Sequence, residues 1–214
     1  MRLSRPVLVT VLSLALFGTS PARADRAGDF DYYVLSLSWA PSWCATARDT
    51  SDTTSCVPGR KTGFTLHGLW PQHEEGWPAD CATNQPNPSR RETAQMVDIM
   101  GSSGLAWYQW RKHGRCSGLS GRDYMKLTRR AAEAVAVPDL FSRLSRDVSL
   151  PANVVEDAFI EANPKLSRNA ITVTCDGPAL QEVRICLTRD LEPRDCAPDS
   201  RRDCRRSMVM EAPR

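Results

Sequence analysis

The sequence is poor in several things that would place it quickly. It has only three histidines, His67, His73 and His113. Its eight cysteines include no C-x-x-C pair, and no histidine stands at finger-like spacing from a cysteine pair. A structural zinc site is built from such pairs, so their absence argues against one. No apolar run reaches the roughly 20 residues that a helix needs to cross a bilayer; the stretch from Val7 to Gly18 falls short. There is no internal repeat and no long low-complexity tract. A net basic field is also missing. The 28 Lys and Arg exceed the 25 Asp and Glu by three, and Arg2, Arg5 and Arg23 account for that excess. Overall charge therefore gives no reason to expect a polyanionic partner, and any such affinity must come from a local patch.

What is present begins with Met1-Arg2-Leu3-Ser4-Arg5-Pro6, short and basic, then the apolar stretch, then Pro21-Ala22-Arg23-Ala24. This is the layout of a secretory signal with an A-x-A cleavage site, which puts the mature start at Asp25. Residues 25–214 are then expected to form one domain, long enough for a hydrophobic core. All eight cysteines, Cys44, Cys56, Cys81, Cys116, Cys175, Cys186, Cys196 and Cys204, follow the signal. An even number in an exported chain reads as four disulfides formed in an oxidising compartment.

Periodicity predicts strands over 31–39 and 63–70, the second running into a turn at Pro71. Residues 40–60 read as a loop and 72–88 as irregular. Helices are expected over 89–100, with a Ser89/Glu92 capping box, over 105–113, over 122–137 up to Pro138, and over 152–162. Two more strands are expected over 170–175 and 182–188, then a polar tail. Strands at both ends with helices between predict an α+β domain: a central antiparallel sheet with helices packed on it.

Two histidines stand in unusual company. His67 lies in Phe64-Thr65-Leu66-His67-Gly68-Leu69-Trp70-Pro71, and His113 in Trp107-Tyr108-Gln109-Trp110-Arg111-Lys112-His113-Gly114-Arg115-Cys116. On a helix, Gln109 and His113 share a face and Tyr108 and Lys112 share the adjacent one. An amide, a cation and an imidazole are thus presented together. Cleaving RNA at phosphorus needs one group to take the 2′-OH proton, another to protonate the 5′-oxygen, and a cation to balance charge on the phosphoryl oxygens. Imidazole suits either proton role near neutrality. The same residues also permit plainer roles: a histidine on a strand is more often structural, and cations at a helix end offset its dipole. His73, beside Glu74 and Glu75, reads as a surface loop residue.

The segments FTLHGLWP and WRKHGRC resemble the two active-site signatures of the ribonuclease T2 family, in the same order and spacing. The stretch from Asp31 to Cys44 is similar to the family's first strand. Glu182-Val183-Arg184-Ile185-Cys186 is similar to its C-terminal strand. The resemblance implies His113 as general base, His67 as general acid and Lys112 as the cation at phosphorus. It further implies a 2′,3′-cyclic phosphate product, slowly opened to a 3′-phosphate, with no metal, no cofactor and no cleavage of DNA.

The sequence departs from the family's common His-Glu before the tryptophan, placing Tyr108 and Gln109 there. Gln109 keeps the shape of the catalytic glutamate without its charge, and Tyr108 offers phosphate a hydrogen bond without positive charge. Trp70 and Gln72 match positions that hold a base, though Trp70 reads equally as a core residue. Ser38 stands where the family has a glutamine of the second base site. Trp39, Trp43 and Trp77 are assigned to packing. The resemblance also implies the pairings Cys44–Cys56, Cys81–Cys116, Cys175–Cys204 and Cys186–Cys196. The expected partner is an RNA substrate, for a monomer without stable membrane association, secreted or periplasmic. The absence of a usable N-x-S/T sequon, as at Asn84-Gln85-Pro86 and Asn87-Pro88-Ser89, leans towards a bacterial source. Two other classes stay open: a catalytically weakened RNA-binding protein of the same fold, and a metal-dependent phosphoesterase. Few histidines and no dense carboxylate cluster near them speak against the latter. Arg201, Arg202, Arg205 and Arg206 read as a solvated basic tail.

Overall fold

The computed structural model describes residues 25–214. The signal segment expected over 1–24 lies outside the described residues. Strand β1 (Tyr32–Trp39) is central, antiparallel to β2 (Phe64–Gln72) on one side and to β5 (Ala179–Leu187) on the other. Strand β4 (Ile171–Asp176) pairs antiparallel with β5. Two short strands not expected from the sequence, β3 (Val148–Leu150) and β6 (Met208–Met210), pair antiparallel with each other. β6 joins the sheet in parallel at Ala179↔Val209. The sheet is therefore mixed, not purely antiparallel. The cause is local: the last β1–β5 pair is Ser38↔Glu182, and the start of β5 beyond it is met by β6. The expected polar tail thus contains a buried strand, with Met208 and Met210 fully enclosed.

Alternation along β1 sends Tyr33, Leu35, Leu37 and Trp39 to one face, where they join Leu66, Leu69, Val183, Ile185, Trp110, Tyr124 and Phe159 in the main core. The other face carries a smaller apolar cluster of Tyr32, Val34, Trp70, Cys186, Cys196 and Ala197. Leu66 and Leu69 are three apart yet share the core face. A β-bulge explains this: the register shifts between Ser36 and Leu37, whose partners are Gly68 and Leu66, leaving His67 as the extra residue. A bulge re-aims a side chain, and here that side chain is His67.

Residues 40–60, expected as loop, begin with helix α1 (Ala40–Thr46), started by Pro41 in its first turn. The helix expected over 89–100 is two short ones, α2 (Arg90–Ala94) and α3 (Val97–Met100), and Ser89 and Glu92 form the expected capping box. Helix α4 (Ser103–Lys112) is capped by the Ser102 side chain, which accepts from Gly104 N–H at 3.1 Å. Helix α5 (Gly121–Glu133) stops four residues before the expected end. Val137 precedes Pro138, which disfavours helical backbone there. The Asn163 side chain instead takes up Ala136, accepting from its N–H and donating to its carbonyl, both at 2.8 Å. Helix α6 (Ala152–Ala162) lies where it is expected. All four disulfides join the expected partners.

Candidate active site

Two segments distant in sequence meet at the bulge. Helix α4 packs beside β2, and its last turn delivers Gln109, Lys112 and, as the residue closing the helix, His113. Trp110 is buried in the main core and its indole N–H donates to Asn87 Oδ1 at 2.8 Å, which fixes the helix's rotation. Gly114 then allows a tight exit: a Cβ there would stand 2.6 Å from the Tyr124 ring and 2.7 Å from the Trp110 ring. The Tyr124 hydroxyl donates to the Leu69 carbonyl at 2.6 Å, tying α5 to the same strand that carries His67.

Trp70 is the common neighbour of both histidines. Its ring stacks on His113, with centroids 5.1 Å apart and an interplanar angle of 30°. His67 meets it edge-on at 5.3 Å. The Trp70 indole N–H donates to Gln109 Oε1 at 2.8 Å. This close approach of helix to strand requires Gly68, because a Cβ there would lie 2.4 Å from Gln109 Oε1 and 2.6 Å from Trp70 Nε1. The glycine of the first motif is thus explained by a residue of the second.

The electrostatic settings of the site differ from place to place. Burial, the neighbouring Lys112 cation and His67 together push His113 down to about 3, so its imidazole is neutral over the ordinary pH range. His67 Nδ1 instead faces a carboxylate, Glu182 Oε1. Glu182 is only 3% exposed. Its other oxygen accepts from Arg184 Nε at 2.8 Å and Nη2 at 2.7 Å. Burial would raise this carboxyl, but the bonds from His67 and Arg184 outweigh it and hold Glu182 down at about 2. Arg184 also lies over the Trp70 ring, 5.1 Å from its centroid. Sequence reasoning gave Glu182 and Arg184 no role. The signal was there: they are the sole charged residues of β5, two apart and therefore on one face.

The other expected site residues fall in different places. Lys112 is exposed, 5.6 Å from the centroid of the Tyr108 ring. Tyr108 is half exposed at the rim. Gln109 is buried, and its amide oxygen is engaged by Trp70. Trp70 is packed: with His113 and Arg184 against it and 9% exposure, it presents little free face for a base. Gln72 ends β2 opposite Tyr32, buried, with no hydrogen bond to His67 or His113 among the described residues. His73 stays in the loop, 3.8 Å from Asp31. Trp39 is core, whereas Trp43 and Trp77, assigned to packing, are exposed. Beside His67 opens a cavity of about 320 Å³, bounded in part by Ser38, Trp43, Leu105 and Gln181. Among the described residues no group of three or more His, Cys, Asp or Glu is arranged to hold a metal ion, and no helix is long and apolar enough to cross a membrane.

The chain is similar to several known ribonucleases. A ribonuclease from Aeromonas hydrophila is 37% identical over 121 residues, covering 56% of this chain and 54% of that protein. The chain thus spans about half the length of that relative. Ribonuclease I of Escherichia coli is 26% identical, covering 87% of each chain. The solved structure of trichomaglin, described as an S-like ribonuclease, superposes with a TM-score of 0.68 at 21% identity over 87% of this chain and all of that one; at that identity it speaks for the fold alone. The pattern of the Ribonuclease T2 family matches residues 30–196. With that match over most of its length, the chain belongs to the ribonuclease T2 family.

Proposed function

We propose that the chain is an endoribonuclease that cleaves single-stranded RNA by transesterification, with little base specificity. The observation that carries this reading is the placement of two imidazoles against one tryptophan ring, with His113 held neutral beside Lys112. Neutral His113 is fit to accept the proton of the ribose 2′-OH. The 2′-oxygen attacks phosphorus, and His67 gives a proton to the departing 5′-oxygen. Lys112, exposed at the rim, supplies positive charge to the phosphoryl oxygens. Gln109 spends its amide oxygen on Trp70 and keeps its NH2 as the donor available to phosphate. Tyr108 offers its half-exposed phenol to substrate. The product is a 2′,3′-cyclic phosphate, hydrolysed more slowly to a 3′-phosphate. Substrates lacking the 2′-OH have no nucleophile and are refused. Export to a periplasm or the medium, after removal of a signal ending near Ala24, fits the four disulfides.

Every proton transfer and the charge compensation are assigned to side chains. The oxidised chain is therefore expected to cut RNA at an unchanged rate in excess EDTA, and the fragments to carry cyclic-phosphate ends on end-group analysis. Loss of activity on chelation, or fragments ending in 3′-OH, would count against the mechanism. Binding without cleavage would favour the second reading, a catalytically weakened RNA-binding protein, which rests on Tyr108 and Gln109.

A further inference from the structure

His67 is asked to deliver a proton from one defined nitrogen, and what orients its ring lies outside both histidine motifs. Glu182 sits in β5, the strand on the far side of β1 from His67, and its side chain is buried among sheet residues. A buried carboxylate is costly unless its oxygens are paired. Both are: Oε1 meets His67 Nδ1, and Oε2 is held by Arg184. Arg184 in turn lies on Trp70, which is bonded to Gln109 and stacked on His113. One unbroken chain of contacts therefore runs from the imidazole of His67 through Glu182, Arg184 and Trp70 to the imidazole of His113.

We propose that Glu182 is a positioning residue for RNA cleavage, orienting His67 through Nδ1 so that Nε2 carries the proton given to the leaving 5′-oxygen, with Arg184 locking the carboxylate. This rests on the reading of His67 as general acid. With Nδ1–H directed at a carboxylate, Nε2 is the nitrogen left for substrate in either protonation state. When the P–O5′ bond breaks, the Nε2 proton passes to the 5′-oxygen and the imidazole is left neutral, still donating from Nδ1 to Glu182. Before that step the fixed anion balances the imidazolium, the role a buried aspartate plays towards the histidine of a serine-protease triad. A glutamine at 182 would keep the shape but remove the charge, and its NH2 would favour the opposite tautomer.

A leaving-group comparison separates this role from a merely structural one. A dinucleotide such as UpA leaves as an alkoxide and needs the general acid. Uridine 3′-(4-nitrophenyl phosphate) leaves as a phenolate and does not. Glu182→Gln is expected to lose more than about 100-fold in kcat on the dinucleotide. On the nitrophenyl ester it should lose less than about fivefold, and His67→Ala should show the same contrast. Glu182→Asp, which restores the carboxylate, should recover part of the dinucleotide rate; it also serves as the test if the glutamine variant does not fold. Equal losses on both substrates, or no loss on either, with an active parent chain would overturn the positioning role while leaving the ribonuclease reading intact. A parent chain inactive on both substrates would overturn both.

Discussion

Replacing His113 by alanine is expected to lower kcat for RNA cleavage by about 10³-fold or more, the upper part of the range for a positioned general base, with a much smaller change in KM. The expectation follows from how the imidazole is held. It closes α4, its backbone N–H still bonded to the Gln109 carbonyl at 2.9 Å, so its place is set by the helix and not by a loop. Its ring is clamped by stacking on Trp70. Because it is held down at about 3, first by burial and then by Lys112 and His67, it stays deprotonated over the ordinary pH range. The sign for the pH profile follows. A base with a lowered value stays available as pH falls, so the acid limb of kcat/KM should lie well below the 6.5 of an ordinary histidine. A steep-velocity assay across pH 3 to 8, with circular dichroism to show that the variant is folded, checks both parts. A folded His113→Ala chain within tenfold of the parent would show that another group takes the 2′-OH proton.

The second large effect is on stability. Removing the Cys81–Cys116 disulfide as a double serine variant is expected to cost about 4 kcal/mol at 25 °C, the chain-entropy value for a loop of this size, and to slow cleavage by the molecules that remain folded. The link spans 35 residues of sequence and joins the irregular segment after β2 to the turn after α4. Cys116 N–H donates to the His113 carbonyl at 2.9 Å, and the Cys116 carbonyl accepts from Gly28 N–H at 2.9 Å. Cys81 is followed by Ala82, which bridges to Arg26. The disulfide therefore pins the end of α4, the amino-terminal segment and the post-β2 loop at one place, next to His113. Cys44–Cys56 provides the contrast: it closes a 12-residue separation between Cys44 in α1 and the partly exposed loop that follows that helix. Its removal should cost less and leave kcat near the parent's. Urea unfolding of both variants gives the comparison, and equal midpoints for parent and double variant would refute the claim for Cys81–Cys116.

Much of the fold follows from local patterns. β1 alternates plainly, the Ser89 capping box marks α2, and Gly101, in left-handed backbone, ends α3. The sequence was harder to read where tertiary context decides. Met208-Val209-Met210 lies in a charged tail and forms a strand because β1 leaves the start of β5 open on the side away from β4. Residues 89–100 carry one helical pattern, yet the chain re-aims at Gln95 and Met96 so that Met96 and Met100 both reach the core. In the site, His67, His113 and Lys112 were legible from two motifs, but the reason for their spacing was not. Gly68 appears as one glycine in a strand until Gln109 is seen against it. Glu182 and Arg184 lie more than 60 residues beyond the second motif, and only the sheet register brings them to the bulge. Trp70, open to either a base or the core on sequence grounds, turns out packed, because both its histidine neighbours and Arg184 need its ring.

The claim on which everything else depends is that the ribose 2′-oxygen is the nucleophile, activated and relieved by the two histidines. It is tested most directly on an RNA oligonucleotide with a single 2′-deoxyribose at one internal position, digested to completion by the oxidised chain and mapped by gel. Cleavage after every position except the one bearing the 2′-deoxy sugar is the result predicted here. Cleavage at that linkage at a rate comparable to its neighbours would mean that water or another group attacks phosphorus, and the two-histidine account would be wrong.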